Sequence, residues 1–422
     1  MTDKIFTFLE PYFGKKAAWF GEKAPIIADS ICLDPQTNYR ADSGFHGKYS
    51  VIWIYEYNLF ENESWPLLLN EAISLLCKDG VIICRMSENK NGSIFALKSY
   101  LHRNPSIEVD LLQQHKTIQG DKVCVFKVAR KQKRKVDNKS WSFGILTNGK
   151  KEENVRQLIE KASTLSKDLN IEFIIAGQFD KSSLMTNIDI TIFDLDVSDQ
   201  LPRISQKKYE IGKLAKYDNV AIFHDRYQIG EDFFDGFDKF GYDFDFITVS
   251  QHYEDGSFFP GYAGFDLPVF KWMTPHYSKN YGKLFAGHYI NGGVMIFKRS
   301  TLQKLSFNPL LLHNEAEDVE LSFFFMSNGI VPRINVFSSA TTVGVPNTYT
   351  KTFINIDTSK KTRYKKSLKR NFTRIIKKVQ SKGFIKVISI TIKKVLSTCK
   401  THNLIRHFLY RTWCKIRQPI RK

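Results

Sequence analysis

The sequence predicts an α/β protein. A mostly parallel sheet carries helices on both faces, a smaller α/β unit precedes it, and a basic amphipathic helical tail follows. Three observations carry this. From residue 141 onward, short apolar runs alternate with segments of helical spacing, the pattern of a parallel sheet with helical crossovers. A shorter version of the same alternation occupies residues 1–130. The excess charge sits at one end: 21 of the 62 Lys and Arg lie between Lys360 and Lys422, where there is no Asp or Glu. The rest of the 422 residues holds 41 basic and 43 acidic side chains. A near-neutral body argues against a surface coated for nucleic acid and confines any anionic partner of the basic segment to the last sixth of the chain.

In residues 1–130 the apolar runs Val51–Tyr55, Val81–Cys84 and Val123–Val128 read as buried strands. Trp65–Cys77 has helical spacing, with Lys78-Asp79-Gly80 as its stop. Residues 131–140 are polar and charged, a linker. The second unit, 141–358, opens with the strand Phe143–Thr147, the turn Asn148-Gly149 and the helix Glu152–Asp168. The strands Ile171–Ala176 and Asp189–Phe193, the helix Lys208–Lys216 and the strand Asn219–Phe223 follow. Residues 250–290 are rich in Gly, His and aromatics with little periodicity, and a long irregular stretch inside a compact domain usually serves function. The rhythm resumes with the strand Gly293–Phe297, the helix Arg299–Lys304 and a helix after Glu315.

The tail, 359–422, contains three apolar-basic segments, Leu368–Val379, Phe384–Leu396 and Leu404–Ile416. In the second, Ile385, Ile388, Ile392 and Val395 share one helical face, and Lys382, Lys386, Ser389 and Lys393 the other. Cations interleaved with Phe408, Leu409 and Trp413 suit an interfacial helix on anionic lipid, with nucleic acid the rival partner and not the expected one. No run approaches the 18 apolar residues of a spanning helix, and the N-terminus has no signal-peptide pattern. The expected location is cytoplasmic, peripheral on the inner face of the membrane. The six cysteines include no CxxC pair, which excludes a disulfide framework or zinc site.

Ligands of open α/β sheets bind outside the carboxyl ends of the strands. Those ends are Thr147-Asn148-Gly149, Gly177-Gln178 and His224-Asp225-Arg226, where an apolar strand breaks abruptly into three polar side chains. In the order of these strand ends, residues 141–350 resemble a GT-A-fold glycosyltransferase of the large inverting family 2 type. The segment 211–226 (IGKLAKYDNVAIFHDR) resembles the helix and strand that deliver that family's acidic DxD motif. Residues 289–299 (YINGGVMIFKR) resemble the glycine-containing strand beside the acceptor pocket, and 317–321 (EDVEL) the ED-x-E-L motif that carries the catalytic base.

The resemblance implies a nucleotide-sugar donor held by Thr147, Asn148, Gly177, Lys208, His224, Asp225 and Arg226. It implies a saccharide acceptor, lipid-linked or free, against Asn291, Gly292 and Gly293. Asp318 is then the base that takes the proton of the attacking hydroxyl, and Glu317 its acidic neighbour. The triplet departs from the family, with His224 and Arg226 where acids are usual. Two readings stand: His224 and Asp225 hold Mn²⁺ or Mg²⁺, or Arg226 neutralises a phosphate directly. Lys207 and Lys208 resemble a basic pair that precedes the DxD segment, and read equally well as surface lysines. His252, His276 and His288 are ligand candidates or hydrogen-bonded structural histidines, and the aromatics of 253–281 sugar platforms or core.

Residues 47–85 resemble the second half of a class I SAM-dependent methyltransferase domain: strand, polar loop, helix, an LxxxG turn at Leu76–Gly80, and strand. The glycine-rich loop that lets backbone approach the cofactor is missing, with only Gly21 and Gly44 between residues 16 and 45. A degenerate, non-catalytic module that binds no SAM is expected. The functional expectation is a glycosyltransferase of bacterial surface polysaccharide or lipopolysaccharide assembly. Its rivals are a non-catalytic scaffold of such a complex and a bifunctional methyl- and glycosyltransferase.

Overall fold

The computed structural model describes residues 5–131, 139–184, 188–198, 201–265, 275–277, 287–304, 307–313 and 315–348. They belong to one compact unit, Met1–Asp266 with Thr274–Ile356. The predicted tail segments, residues 132–138 of the linker, Phe270, Trp272 and Tyr281 lie outside the described residues, as do the side chains of His276 and His288.

The first sheet is built from β1 (Ala17–Phe20), β2 (Asp29–Ile31), β3 (Tyr49–Ile54), β4 (Leu76–Met86), β5 (Ile107–Lys116) and β6 (Lys122–Arg130), in the order β2-β1-β3-β4-β6-β5. The first four are parallel; β6 runs antiparallel between β4 and β5. Helix α1 (Ile5–Leu9) precedes β1, α2 (Trp65–Leu75) joins β3 to β4, and α3 (Ile94–Arg103) joins β4 to β5. The helix expected over 65–77 ends earlier. Leu76 is already extended and pairs with Tyr49, because burying Leu76 in the sheet (1% exposed) outweighs one more helical residue. Lys78-Asp79-Gly80 is therefore strand, not helix stop. Strand β2 buries one residue of its three and the edge strand β5 is mostly exposed, so neither has an apolar run to read, while β1 is a buried apolar run of only four residues, too short to set a period.

The second sheet begins with β7 (Trp141–Leu146), α4 (Glu152–Ser166), β8 (Ile171–Ala176) and β9 (Ile190–Phe193). Next come α5 (Ile204–Leu214), β10 (Asn219–His224), β11 (Tyr227–Ile229), α6 (Phe233–Phe240) and β12 (Phe246–Tyr253). The short strands β13 (Phe258–Phe259), β14 (Tyr262–Phe265), β15 (Pro275–Tyr277) and β16 (Gly287–Ile290) occupy the stretch read as irregular; β14 pairs antiparallel with β15 and β16 in a separate small sheet. The chain continues through β17 (Val294–Lys298), α7 (Arg299–Leu302), α8 (Glu317–Ser327) and β18 (Arg333–Thr342).

Strand order is β11-β18-β12-β17-β10-β7-β8-β9, with β13 beside β12. Strands β7, β8, β9 and β10 are parallel, β17 is inserted antiparallel between β10 and β12, and β18 lies parallel to β12. Alternate residues of one strand feed two cores. Ala221 and Phe223 join Trp141, Phe143, Phe233 and Phe237 on the α4 and α6 side. Val220 and Ile222 join Ile174, Phe297 and Phe325 on the α5 and α8 side. Burial on both faces is why the central strands read as unbroken apolar runs.

The two sheets share buried chemistry. Glu71 of α2 is fully buried and takes Arg40 at 3.1 Å, Arg333 of β18, and His46 at 3.2 Å. Arg40 Nε and NH2 donate to the carbonyls of Phe240 and Asp243 at 2.8 Å, and Arg333 NH2 donates to Asn38 O at 2.8 Å. Although burial pushes the other way, Arg40 and Arg333 hold the Glu71 carboxyl well below the usual carboxylate range. Burial, opposed by Glu71, lowers the Arg40 guanidinium to about 10. Val331, just before β18, packs in the core of the first sheet.

Candidate active site

Strand β7 ends at a tight turn. Thr147 Oγ1 accepts the Gly149 amide at 3.1 Å and donates to Asp225 Oδ2 at 3.0 Å. Gly177, after β8, presses on this turn: a Cβ there would stand 1.9 Å from Thr147 O, so only glycine lets the two strand ends close. The Asp225 amide donates to Leu146 O at 3.0 Å, and the His224 amide to Gly293 O at 3.0 Å. Thr147, Asn148, His224 and Asp225 line a pocket of about 220 Å³ together with Lys150, Asp196, Lys207 and His313.

Of the predicted donor-site residues, Lys208 and Arg226 stand elsewhere. Lys208 lies fully buried, donating to Glu317 Oε1 at 3.1 Å and Gly292 O at 3.2 Å. Its neighbour Lys207 lines the pocket instead, paired with Asp196 at 2.6 Å and Asp194 at 2.9 Å. The Arg226 guanidinium lies over the rings of Tyr227 (5.4 Å) and Phe259 (5.9 Å). Burial, then Lys208, Arg226 and His313, lower the His224 imidazole well below its ordinary value. Burial raises the Asp225 carboxyl, against the Thr147 hydroxyl and Lys151.

The second half of the site is the start of α8. Ala316 precedes it with a left-handed φ of 63°, which sets Glu317 and Asp318 in the first turn, where the helix dipole favours acids. Asp318 Oδ2 accepts the Gly292 amide at 2.9 Å and the Tyr289 hydroxyl at 2.8 Å; Oδ1 accepts its neighbour's amide, Val319 N, at 2.9 Å. A Cβ on Gly292 would stand 2.9 Å from Glu317 Oε1 and 3.3 Å from Asp318 Cβ, so the glycine makes room for the acidic pair. Burial and then Glu317 push the Asp318 carboxyl up, while Lys208, the Gly292 amide and the Tyr289 hydroxyl pull it back. Asn291 Oδ1 accepts the Gly293 amide at 3.0 Å, fixing the turn that carries both contacts.

Sequence reasoning missed His313, which lies in a stretch without periodicity, and the partners of Lys207. A signal for the latter was present: Asp194-Leu195-Asp196 is an acidic pair at the carboxyl end of a strand. His252 lies on β12, apart from the pocket lining.

A divalent cation is poorly provided for. Asp196 has both oxygens taken, by Lys207 and by the Arg203 amide at 2.8 Å, and Asp225 Oδ2 accepts the Thr147 hydroxyl. Among the described residues no group of three His, Cys, Asp or Glu side chains could hold a metal ion. Mg²⁺ and Mn²⁺ favour oxygen ligands, and the other ligand here would be an imidazole set among Lys208, Arg226 and His313.

No family model and no curated protein matches the chain. Among solved structures it is similar to GalNAc-T7 with UDP, GalNAc and Mn²⁺ (12% identity, TM-score 0.35, covering 50% of this chain and 45% of that one). It is similar to residues 1–349 of S. aureus TarS (14%, 0.32, 48% and 60%). A Drosophila β1,4-galactosyltransferase 7 mutant in complex with manganese, UDP-Gal and xylobiose is a third (10%, 0.30, 53% and 79%). All three are GT-A-fold glycosyltransferases, and the match spans less than two thirds of the first two.

Proposed function

We propose that the chain is an inverting glycosyltransferase that moves a sugar from a nucleoside diphosphate to a hydroxyl of a saccharide, free or lipid-linked. The observation that carries this is the turn at 291–293. Gly292 N holds Asp318 at 2.9 Å while Gly293 O holds the His224 amide at 3.0 Å, so a partly buried carboxylate and a basic strand-end pocket meet at one point. A transferase needs that pairing. Asp318 takes the proton of the acceptor hydroxyl, the hydroxyl oxygen bonds to the anomeric carbon, and the carbon–oxygen bond to the diphosphate breaks with its electron pair leaving on the diphosphate. Tyr289 and Gly292 orient the base, and Lys208 compensates Glu317 so that two adjacent acids can share the site. The strand order also supports a GT-A fold: four parallel strands, then one antiparallel strand bearing the Gly292-Gly293 turn.

The first sheet supports a methyltransferase-derived module, with its parallel strands closed by an antiparallel β6 between β4 and β5. The tail's composition supports an anchoring role at an anionic inner membrane face, in surface polysaccharide or lipopolysaccharide assembly.

The test is Asp318→Asn in the purified full chain. Folding and nucleotide binding should persist while transfer falls by roughly 10²-fold or more, the scale of general base catalysis. In the wild type the acid limb of kcat/KM should lie above the ordinary aspartate value, and Lys208→Met should move it higher still, because Lys208 pulls that carboxyl down. Wild-type turnover in Asp318→Asn removes the base assignment.

A further inference from the structure

We infer that basic side chains of this chain, Lys150, Lys207, His224 and His313, hold the donor's diphosphate directly, without a divalent cation. This rests on the proposed function, and it follows from the chemistry lining the pocket. Four of the lining residues are basic, Asn148 adds an amide donor, and two are carboxylates. Both carboxylates are engaged. Asp196 accepts Lys207 Nζ at 2.6 Å and the Arg203 amide at 2.8 Å, and Asp225 accepts the Thr147 hydroxyl at 3.0 Å. A cation that bridges phosphates needs carboxylate oxygens with room to coordinate. A diphosphate needs the reverse, converging N–H donors and positive charge.

His224 and Lys207 have donors to offer. His224 Nε2 is buried at the pocket without a hydrogen-bond partner, and a buried polar atom left so is costly until something accepts from it. A phosphate oxygen would do so from the Nε2–H tautomer. Lys207 is 1% exposed and spends two of its three N–H donors on Asp194 and Asp196, which hold the ammonium at the wall with one donor left. His313 is fixed by its amide, which donates to Pro202 O at 3.2 Å, and Pro202 lines the same pocket. About 220 Å³ suits a diphosphate better than a whole nucleotide sugar, for which pockets of roughly 300–1,000 Å³ are usual.

Calorimetric titration of the full chain with UDP, GDP, ADP and dTDP, in excess EDTA and in excess MnCl₂, decides it. We expect at least one nucleotide to bind with Kd differing by less than about tenfold between the two buffers, under about 1.4 kcal/mol. His224→Ala and Lys207→Met should each weaken that binding about tenfold or more in EDTA. His224→Gln, whose amide donates from nearly the same position, should recover most of it. Binding seen only with Mn²⁺ overturns the inference and leaves the glycosyltransferase reading standing. Undiminished binding by His224→Ala and Lys207→Met in EDTA overturns it as well. Absence of binding by every nucleotide in both buffers overturns both.

Discussion

The carboxyl ends of the parallel strands differ between the two sheets. In the second, the ends of β7 and β10 open on a pocket lined by Thr147, His224, Asp225 and Lys207. In the first, the end of β1 is shut. Glu56, two residues past β3, accepts Trp19 Nε1 at 2.9 Å and stands where a Cβ on Gly21 would come within 1.6 Å of it. The connections differ too. Between β7 and β8 runs the fifteen-residue α4, but β1 and β2 are joined by residues 21–28 alone, without a helix. A helix N-terminus at a strand end supplies amides for phosphate, and the first sheet has none there. One strand rhythm therefore yields an open pocket in one half and a closed strand end in the other. The closed half is joined to the open one by buried charge.

The largest test of that comparison is at the joint. Glu71→Gln leaves Arg40 and Arg333 buried without their carboxylate, and breaking a buried pair costs about 3–5 kcal/mol. Because the folded-state carboxyl of Glu71 is held below its unfolded value, its stabilisation is complete above the ordinary glutamate range and is lost as pH falls through the folded value. Denaturant unfolding of wild type and Glu71→Gln from neutral to acid pH should show the gap narrow on acidification. A gap well under 1 kcal/mol at pH 7 would make the first sheet an appendage.

A pair of glycines gives the next contrast. Gly177→Ala places a methyl against backbone, Thr147 O, at φ 139°, and should cost roughly 1–3 kcal/mol and weaken nucleotide binding. Gly21→Ala meets mainly the end of the Glu56 side chain, which can swing aside, so its cost should be smaller and nucleotide binding unchanged. Equal losses of nucleotide affinity in the two variants would erase the distinction between open and closed ends. The smallest effect expected is none at all: titrating the full chain with millimolar SAM should give no saturable heat. Saturable heat would show that the first sheet keeps a cofactor site despite Glu56.

Central strands, with both faces buried, announce themselves as apolar runs, so β3, β4, β6, β7, β8, β10 and β17 were legible and the α/β class with them. So were the polar strand ends Thr147 and His224-Asp225, and the acidic pair Glu317-Asp318, because polar residues that interrupt an apolar pattern stand out in one dimension. The edge strand β9 was read as well, whereas β5 is exposed, β1 and β2 have only four and three residues, and the interior strands β12 and β18 carry polar residues that break the run. Which lysine of Lys207-Lys208 faces the pocket, that Arg226 lies over Tyr227 and Phe259, that His313 joins His224, and that Glu71 binds Arg40 and Arg333 are matters of tertiary structure alone. Apart from the neighbours Arg226 and Tyr227, these contacts join residues tens to hundreds of positions apart. Periodicity records which face a residue turns to, and only packing determines what waits there.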